Sequence, residues 1–467
     1  MPRNMSVSRA LARYVLAPGL DVLRGTHTML CLKELEESQW WPRDRIEQLQ
    51  SERLQRLVRH AYERVPYYRR RMDGSGLSPD SIRSTADLPL LPVLTKADVL
   101  EHLDELVAEG FPRRELLSGR TSGSTGTPLA FYSSRAGRWS HGFARSLRAL
   151  EWAGLHPGDP VLRLSGRRRD GFVEKAPFSR LVRLLSRETF EDPEDFSDSS
   201  LPQVVERIAK LRPRALRGYA SVVAIIAEFI RDSGLPAPEV GAIVTGGEQL
   251  FDAQRNLFRD VFGTEPFSKY SSFENYDIAM ECDAHTGMHV AAEDLIVEVV
   301  DDDGGPLEPG RVGRVLVTNL HEYGLPLIRY DTADESSFAE GACACGRSLP
   351  RLSAVIGRTG SAVYTPSGKR LSTVTLDSSG LGPLGIRQFQ LVQEQLDHVT
   401  VRVVPNTSLS SRDAHALTAA VGAQFGSWLG EDVRLDVAIV DRIEPTAAGK
   451  HLYLISKVQR PAVNSRR

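Results

Sequence analysis

A chain of 467 residues exceeds what one hydrophobic core can hold, because single cores stop growing at roughly 250–300 residues, so at least two domains are expected. Its 41% hydrophobic and 25% charged residues exclude global disorder. A net charge of -2 provides no field of one sign that would draw in nucleic acid or an anionic membrane, which leaves a small molecule as the natural partner.

The segment from Ser8 to Leu23 mixes Leu11, Val15, Leu16 and Leu20 with Arg9 and Arg13. It could form a basic amphipathic stretch, but Pro18 and Gly19 interrupt it, and packing against the rest of the protein is the preferred reading. No run approaches the ~18 apolar residues of a membrane helix and no secretory leader is read at the start, so a cytoplasmic chain without an integral membrane segment is expected. Leu54, Leu57, Val58, Ala61 and Val65 recur at helical spacing until Pro66 forbids another ordinary turn, and the first hundred residues read as helical. Next comes Thr121-Ser122-Gly123-Ser124-Thr125-Gly126-Thr127-Pro128. Glycines there let backbone N–H groups approach phosphate oxygens and hydroxyls add donors, although no Gly-Lys-Ser or Gly-Lys-Thr follows as in a Walker loop.

From Pro160 onward, short apolar runs such as Ala242 to Val244 alternate with helical stretches such as Pro202 to Leu211 and Val222 to Ile230. That alternation predicts a largely parallel sheet with helices on its faces. Between Leu295 and Leu320 two apolar strands joined by a Gly- and Pro-rich turn predict a small β-subdomain. After Gly357 the pattern becomes FQLV, then Val399, Val401 and Val403, a helix across Asp413 to Leu429, and Val433 to Ile439 at period two. The expected architecture is α/β: a large N-terminal domain of helix-flanked sheets over 1–357, with its β-subdomain, and a small α+β C-terminal domain over 358–467.

Several motifs stand in a characteristic order. TSGSTGTP resembles the phosphate loop of the adenylate-forming superfamily of acyl-CoA ligases and adenylation domains; IVTGGEQL at Ile243 to Leu250 resembles its strand and glycine turn beside the adenine. KYSSFE at Lys269 to Glu274 resembles its Tyr-Gly-x-Thr-Glu motif, RYDTAD at Arg329 to Asp334 its Tyr-Arg-Thr-Gly-Asp motif, and PTAAGK at Pro445 to Lys450 its C-terminal Gly-Lys motif. Within the superfamily, HAYERVPYYR, LPVLTKADV, CACGR and RQFQLVQ resemble the phenylacetate-CoA ligase branch and its capsule-biosynthesis relatives.

The resemblance implies ATP along Thr121, Ser122, Gly123, Ser124, Thr125, Gly126 and Thr127, with Gly246, Gly247, Glu248, Tyr270, Ser271 and Ser272 lining the nucleotide. It implies that Glu274 holds Mg2+, that Asp334 accepts hydrogen bonds from both ribose hydroxyls, and that Arg358 contacts the nucleotide at the hinge. Lys450 would neutralise charge developing at the α-phosphate, and the C-terminal domain would be mobile. Thr359-Gly360-Ser361 departs from the usual acidic or lysine hinge, though Gly360 still permits rotation. The carboxylate pocket is expected between the phosphate loop and Ser271 to Asn275, with Tyr132 and Tyr276 as contributors.

Cys282, Cys343 and Cys345 with one imidazole would complete a closed tetrahedral zinc shell, which is structural rather than catalytic; four cysteines do not make a disulfide framework. His289 is preferred as fourth ligand on its resemblance to zinc-bearing relatives, with His285 the alternative. The implied activity is ATP-dependent formation of an acyl-AMP from a small, aryl carboxylate, then transfer to an acceptor, foremost the thiol of coenzyme A. An amide-forming ligase, an adenylyltransferase and a non-catalytic zinc-stabilised scaffold are the alternatives, and a homodimer stays open.

Overall fold

The structure is a computed structural model and describes residues 7–120, 130–164, 187–192, 200–353, 355, 362–367, 370–372, 384–405, 409–444 and 451–458. Two compact units emerge, Met1–Gly247 with Phe258–Val355, and Glu248–Leu257 with Ile356–Arg467.

The first unit begins with helices. Arg43–Arg64 buries Ile46, Leu54, Leu57, Val58 and Ala61 on one stripe, and Val65 turns extended because the following proline forbids a helical residue there. Pro66 then opens the helix Pro66–Gly74, at the position where a missing N–H costs nothing. The amino-terminal segment also packs on the body, but with its charges inward. Arg9 grips Asp159 at 2.6 and 2.9 Å, and Arg13 pairs with Glu36 and with Glu151 at 2.6 Å, while Leu11, Tyr14, Val15, Val22 and Leu23 stay exposed. Apolar spacing carries no information about such carboxylates, two of which lie more than a hundred residues away.

Among the described residues an eight-stranded sheet runs in the order Arg351–Leu352, Met288–Val290, Tyr276–Glu281, Pro266–Ser272, Ala242–Gly246, Ala215–Gly218, Val161–Leu164, Glu188–Glu191. The five strands from Pro266–Ser272 to Glu188–Glu191 are mutually parallel, and the remainder antiparallel. Ala242, Ile243, Val244 and Thr245 are all buried, as a strand covered on both faces requires. This is the α/β class that the alternation of elements predicted. Among the described residues no helix is long and apolar enough to cross a membrane.

The predicted β-subdomain has three strands, Leu295–Val300, Gly313–Asn319 and Tyr330–Ser336, all antiparallel. The third carries the RYDTAD motif. In the second unit Ile386–Gln395 and His398–Pro405 form a hairpin, Arg434–Ile439 adds parallel to one side and Leu454–Ser456 to the other. Val399, Val401 and Val403 are fully buried in one apolar cluster with Val421 and Phe425 of the helix Ser411–Leu429, and each such valine contributes roughly 1.5–3 kcal/mol. Ser410 caps that helix by accepting the Asp413 N–H at 3.3 Å.

Candidate active site and thiol cluster

The RYDTAD motif carries a β-bulge, where extra residues re-aim side chains, and KYSSFE lies opposite a bulge on its neighbouring strand. In the pairing of Gly313–Asn319 with Tyr330–Ser336 the register jumps from Arg314↔Glu335 to Leu316↔Asp331, so Thr332, Ala333 and Asp334 together oppose Val315. Ala333 takes φ +60°, and Thr332 donates to the Val315 carbonyl at 2.9 Å while accepting the Asp334 N–H at 3.2 Å. The second bulge places Ile278 opposite Tyr270 and Ser271. Its turn is closed by Tyr276 at φ +62° and by the Asn275 N–H donating to Ser272 Oγ at 3.0 Å.

Two tyrosine hydroxyls lace these segments together in opposite directions. Tyr270 donates to Asp334 Oδ2 at 2.8 Å, and Tyr330 donates to Glu274 Oε1 at 3.2 Å. Burial, and then the charge of Asp334, push the Tyr270 phenol well above its usual value, so it stays a neutral donor. Glu274 and Asp334 are each half-buried. The two carboxylates are thus held before any ligand arrives.

The strand Ala242–Gly246 pairs with Pro266–Ser272, with Gly246 opposite Lys269. Gly247 has φ +77°, and a Cβ there would lie 2.8 Å from Tyr219 Cε1, so only glycine lets the tyrosine ring close on the turn. Glu248 belongs to the second unit and accepts the His451 N–H at 2.8 Å, while His451 Nε2 lies 2.8 Å from the Phe389 carbonyl. Thr121, Ser122, Gly123, Ser124, Thr125, Gly126, Thr127, Arg358, Gly360 and Lys450 lie outside the described residues. Of the pocket tyrosines, Tyr132 packs on the cluster holding Leu320 and Tyr330, and Tyr276 stacks on Phe143 with ring centroids 5.4 Å apart.

Cys282, His289, Cys343 and Cys345 come together with ligand atoms within 4.8 Å of one another. Cys282 Sγ lies 3.7 Å from Cys343 Sγ, and Cys345 Sγ 3.3 Å from His289 Nε2. His289 Nδ1 sits 3.1 Å from the Leu349 carbonyl, which fixes the proton on Nδ1 and leaves the Nε2 lone pair facing the thiols. Burial lowers that imidazole to about 4 and raises Cys282 to about 12. For Cys343 burial acts upward, but the Cys345 N–H and the Thr286 hydroxyl outweigh it and hold the thiol at about 7. His285 turns instead to Glu281 Oε2 at 3.3 Å and is not a member of the cluster. Three sulfurs and one lone-pair nitrogen suit a soft, tetrahedral divalent ion.

Sequence reading missed a further polar centre around Asp294. Arg53 holds it at 2.9 Å, Arg145 at 3.5 Å, His141 at 3.4 Å and His321 at 3.0 Å, and the two imidazoles stack with centroids 3.4 Å apart. Burial opposes its charge, yet the imidazoles outweigh it and keep the carboxyl well below the usual range. No local pattern announces such a centre, because its members are dispersed from position 53 to 321.

Comparison with known proteins bears on this arrangement. Phenylacetate-coenzyme A ligase of Thermus thermophilus is 30% identical over 334 residues, 68% of this chain and 71% of that enzyme. This chain belongs to the phenylacetate-coenzyme A ligase family. It is accordingly an AMP-forming ligase. Residues 363–457 match the CapK C-terminal domain, and the CapK protein of Staphylococcus aureus is 20% identical over 434 residues, 88% of this ligase and 89% of that protein. Among solved structures, 2-hydroxyisobutyryl-CoA ligase in the postadenylation state superposes with a TM-score of 0.74 at 20% identity, covering 90% of this ligase and 92% of that chain. The shared fold is that of the adenylate-forming ligases.

Proposed function

We propose that this ligase activates a small carboxylate with Mg-ATP and transfers the acyl group to the thiol of coenzyme A, with aryl acids the first class to test. A carboxylate oxygen attacks the α-phosphorus, the α–β phosphoanhydride bond breaks, and pyrophosphate leaves with its electrons. The thiol sulfur then attacks the acyl carbon, the acyl–phosphate bond breaks, and AMP departs. The observation that carries the reading is the reciprocal lacing of Tyr270 to Asp334 and Tyr330 to Glu274, which presents two preset carboxylates.

In this reading Asp334 receives the ribose hydroxyls and Glu274 the magnesium ion. Thr121 to Thr127 wraps the phosphates, with Gly246, Gly247, Glu248, Tyr270, Ser271 and Ser272 around the nucleotide. Lys450 stabilises charge at the α-phosphate during adenylation, and Arg358 borders a hinge about which 358–467 swings between the two steps. Cys282, His289, Cys343 and Cys345 hold a structural zinc that ties the loop after Tyr276–Glu281 to the loop before Arg351–Leu352. A cytoplasmic location accords with free, reduced cysteines.

The test is acid-dependent exchange of labelled pyrophosphate into ATP over a panel of carboxylates, followed by AMP release with and without coenzyme A. Exchange plus thiol-stimulated AMP release is expected. AMP release stimulated instead by amines would mark an amide-forming ligase, AMP retained on the product an adenylyltransferase, and no exchange with any acid a non-catalytic scaffold.

A further inference from the structure

The sheet face opposite Tyr270 holds a group of cations that the reaction above does not use. In the parallel register Arg163 pairs with Arg217, Arg217 with Val244, and Gly246 with Lys269. Alternation along Ala242–Gly246 puts Val244 and Gly246 on one face, so Arg163, Arg217 and Lys269 point the same way. Gly246 is the gap among them, and a Cβ there would lie 3.6 Å from Lys269 Cε.

Two guanidiniums share one carboxylate: Glu188 lies 3.3 Å from Arg217 and 3.5 Å from Arg163. Lys269 pairs with Asp277 at 2.8 Å. The Arg217 and Lys269 side chains are each only 14% exposed. Burial, and then the charge of Arg163, lower Arg217 in spite of Glu188, and burial likewise lowers Lys269 in spite of Asp277. Like charges are therefore crowded where water screens them poorly, an arrangement that costs stability. Hydrophobic residues would fill the same volume at less cost.

Position gives the crowding a use. In open α/β sheets ligands bind at the carboxyl ends of the parallel strands, and these cations stand there. Tyr276, whose phenol Asp277, Arg138, Arg163 and Arg217 all act on electrostatically, follows Glu274 by two residues. Its ring stacks on Phe143 and lies under Arg138, 5.0 Å from the guanidinium carbon. An aromatic wall beside guanidiniums suits a flat acid with a charged far end.

We infer that the acid activated by this ligase carries a second anionic group, a carboxylate, sulfonate or phosphate, that is received by Arg163, Arg217 and Lys269. The inference rests on the adenylation reading and narrows its substrate class. The second anion relieves the repulsion between Arg163 and Arg217, so affinity comes partly from strain already present in the free protein.

Pyrophosphate release by the full-length protein tests this with benzoate and phenylacetate against the same acids bearing a para carboxylate, sulfonate or phosphate. For at least one dianionic acid kcat/KM is expected to exceed that of its parent by about tenfold or more, and the three substituents distinguish which anion is taken. Arg217→Met and, independently, Lys269→Met, each checked for folding by thermal melting, should shrink that ratio toward one. Parent acids used as well as every dianion by the wild type would overturn the inference while leaving adenylation intact, as would a ratio that neither folded variant alters. No release with any acid would bring down the adenylation reading itself, and the inference with it.

Discussion

At the scale of single residues, the two acidic ligands are prepared by their neighbours. Asp334 leaves the strand at a bulge and is fixed by Tyr270, while Glu274 is steadied by Tyr330. Asp334→Ala removes two charge-assisted acceptors from the proposed ribose site, and calorimetry should find ATP affinity lowered by about 100-fold. Tyr270→Phe keeps the carboxylate but frees it to rotate, so a loss of about tenfold is expected in the same measurement. The ordering of the two variants is the sharper part of this prediction, since a purely structural role for Tyr270 would lower melting temperature without the graded change in affinity.

His321 carries a second residue-level prediction. Burial holds its imidazole at about 4, below the unfolded value near 6.5, so the native state binds fewer protons between those limits. Stability from this group is complete above about pH 6.5 and is lost as pH falls toward 4, with an upper limit of about 3 kcal/mol. Urea unfolding of His321→Asn across that window should show a shallower dependence on pH than the wild type. The flattening would be absent if the ring were charged in the folded state.

At the scale of elements, the thiol cluster joins segments that lie far apart along the chain, from Cys282 to Cys345. Arg351–Leu352 pairs with Met288–Val290 over only two residues, and the loop between Ser336 and Arg351 has little regular structure. A tetrahedral ion bound by Cys282, His289, Cys343 and Cys345 would cross-link that edge of the sheet. Metal analysis of protein made with zinc available should find about one zinc per chain, and chelation should lower the melting temperature. Cys345→Ser should lower zinc content and stability together. Its sulfur faces His289 at the less buried side of the cluster, so loss of the metal there is expected to leave the protein folded.

At the scale of the whole molecule, adenylation and thioester formation ask different things of the two units. Lys450→Ala should abolish pyrophosphate exchange while sparing thioester formation from a preformed acyl-adenylate, measured as coenzyme A-dependent AMP release. Equal loss of both half-reactions would contradict a role confined to adenylation. The same experiment bears on the departure at Thr359-Gly360-Ser361, because a hinge unable to turn would impair the second half-reaction in the wild type as well.

The local patterns that determined the class of fold are short-range ones. Helical spacing up to Pro66, alternation of buried runs with helices after Pro160, and period-two valines at 399, 401 and 403 each reflect one element meeting one apolar layer, and each is legible in the chain itself. Motif order likewise carried the family. Motif resemblance already favoured His289 over His285 beside the thiols, whereas tertiary structure alone decided that Arg9 and Arg13 turn inward and that Tyr330 reaches Glu274. It also brought Arg163, Arg217 and Lys269 onto one face, and Arg53, His141 and His321 around Asp294. The physical reason is common to all of them: periodicity reports what a residue does for its own element, whereas ion pairs, ligand sets and bulges depend on partners tens to hundreds of residues away, which only strand order and register bring within reach.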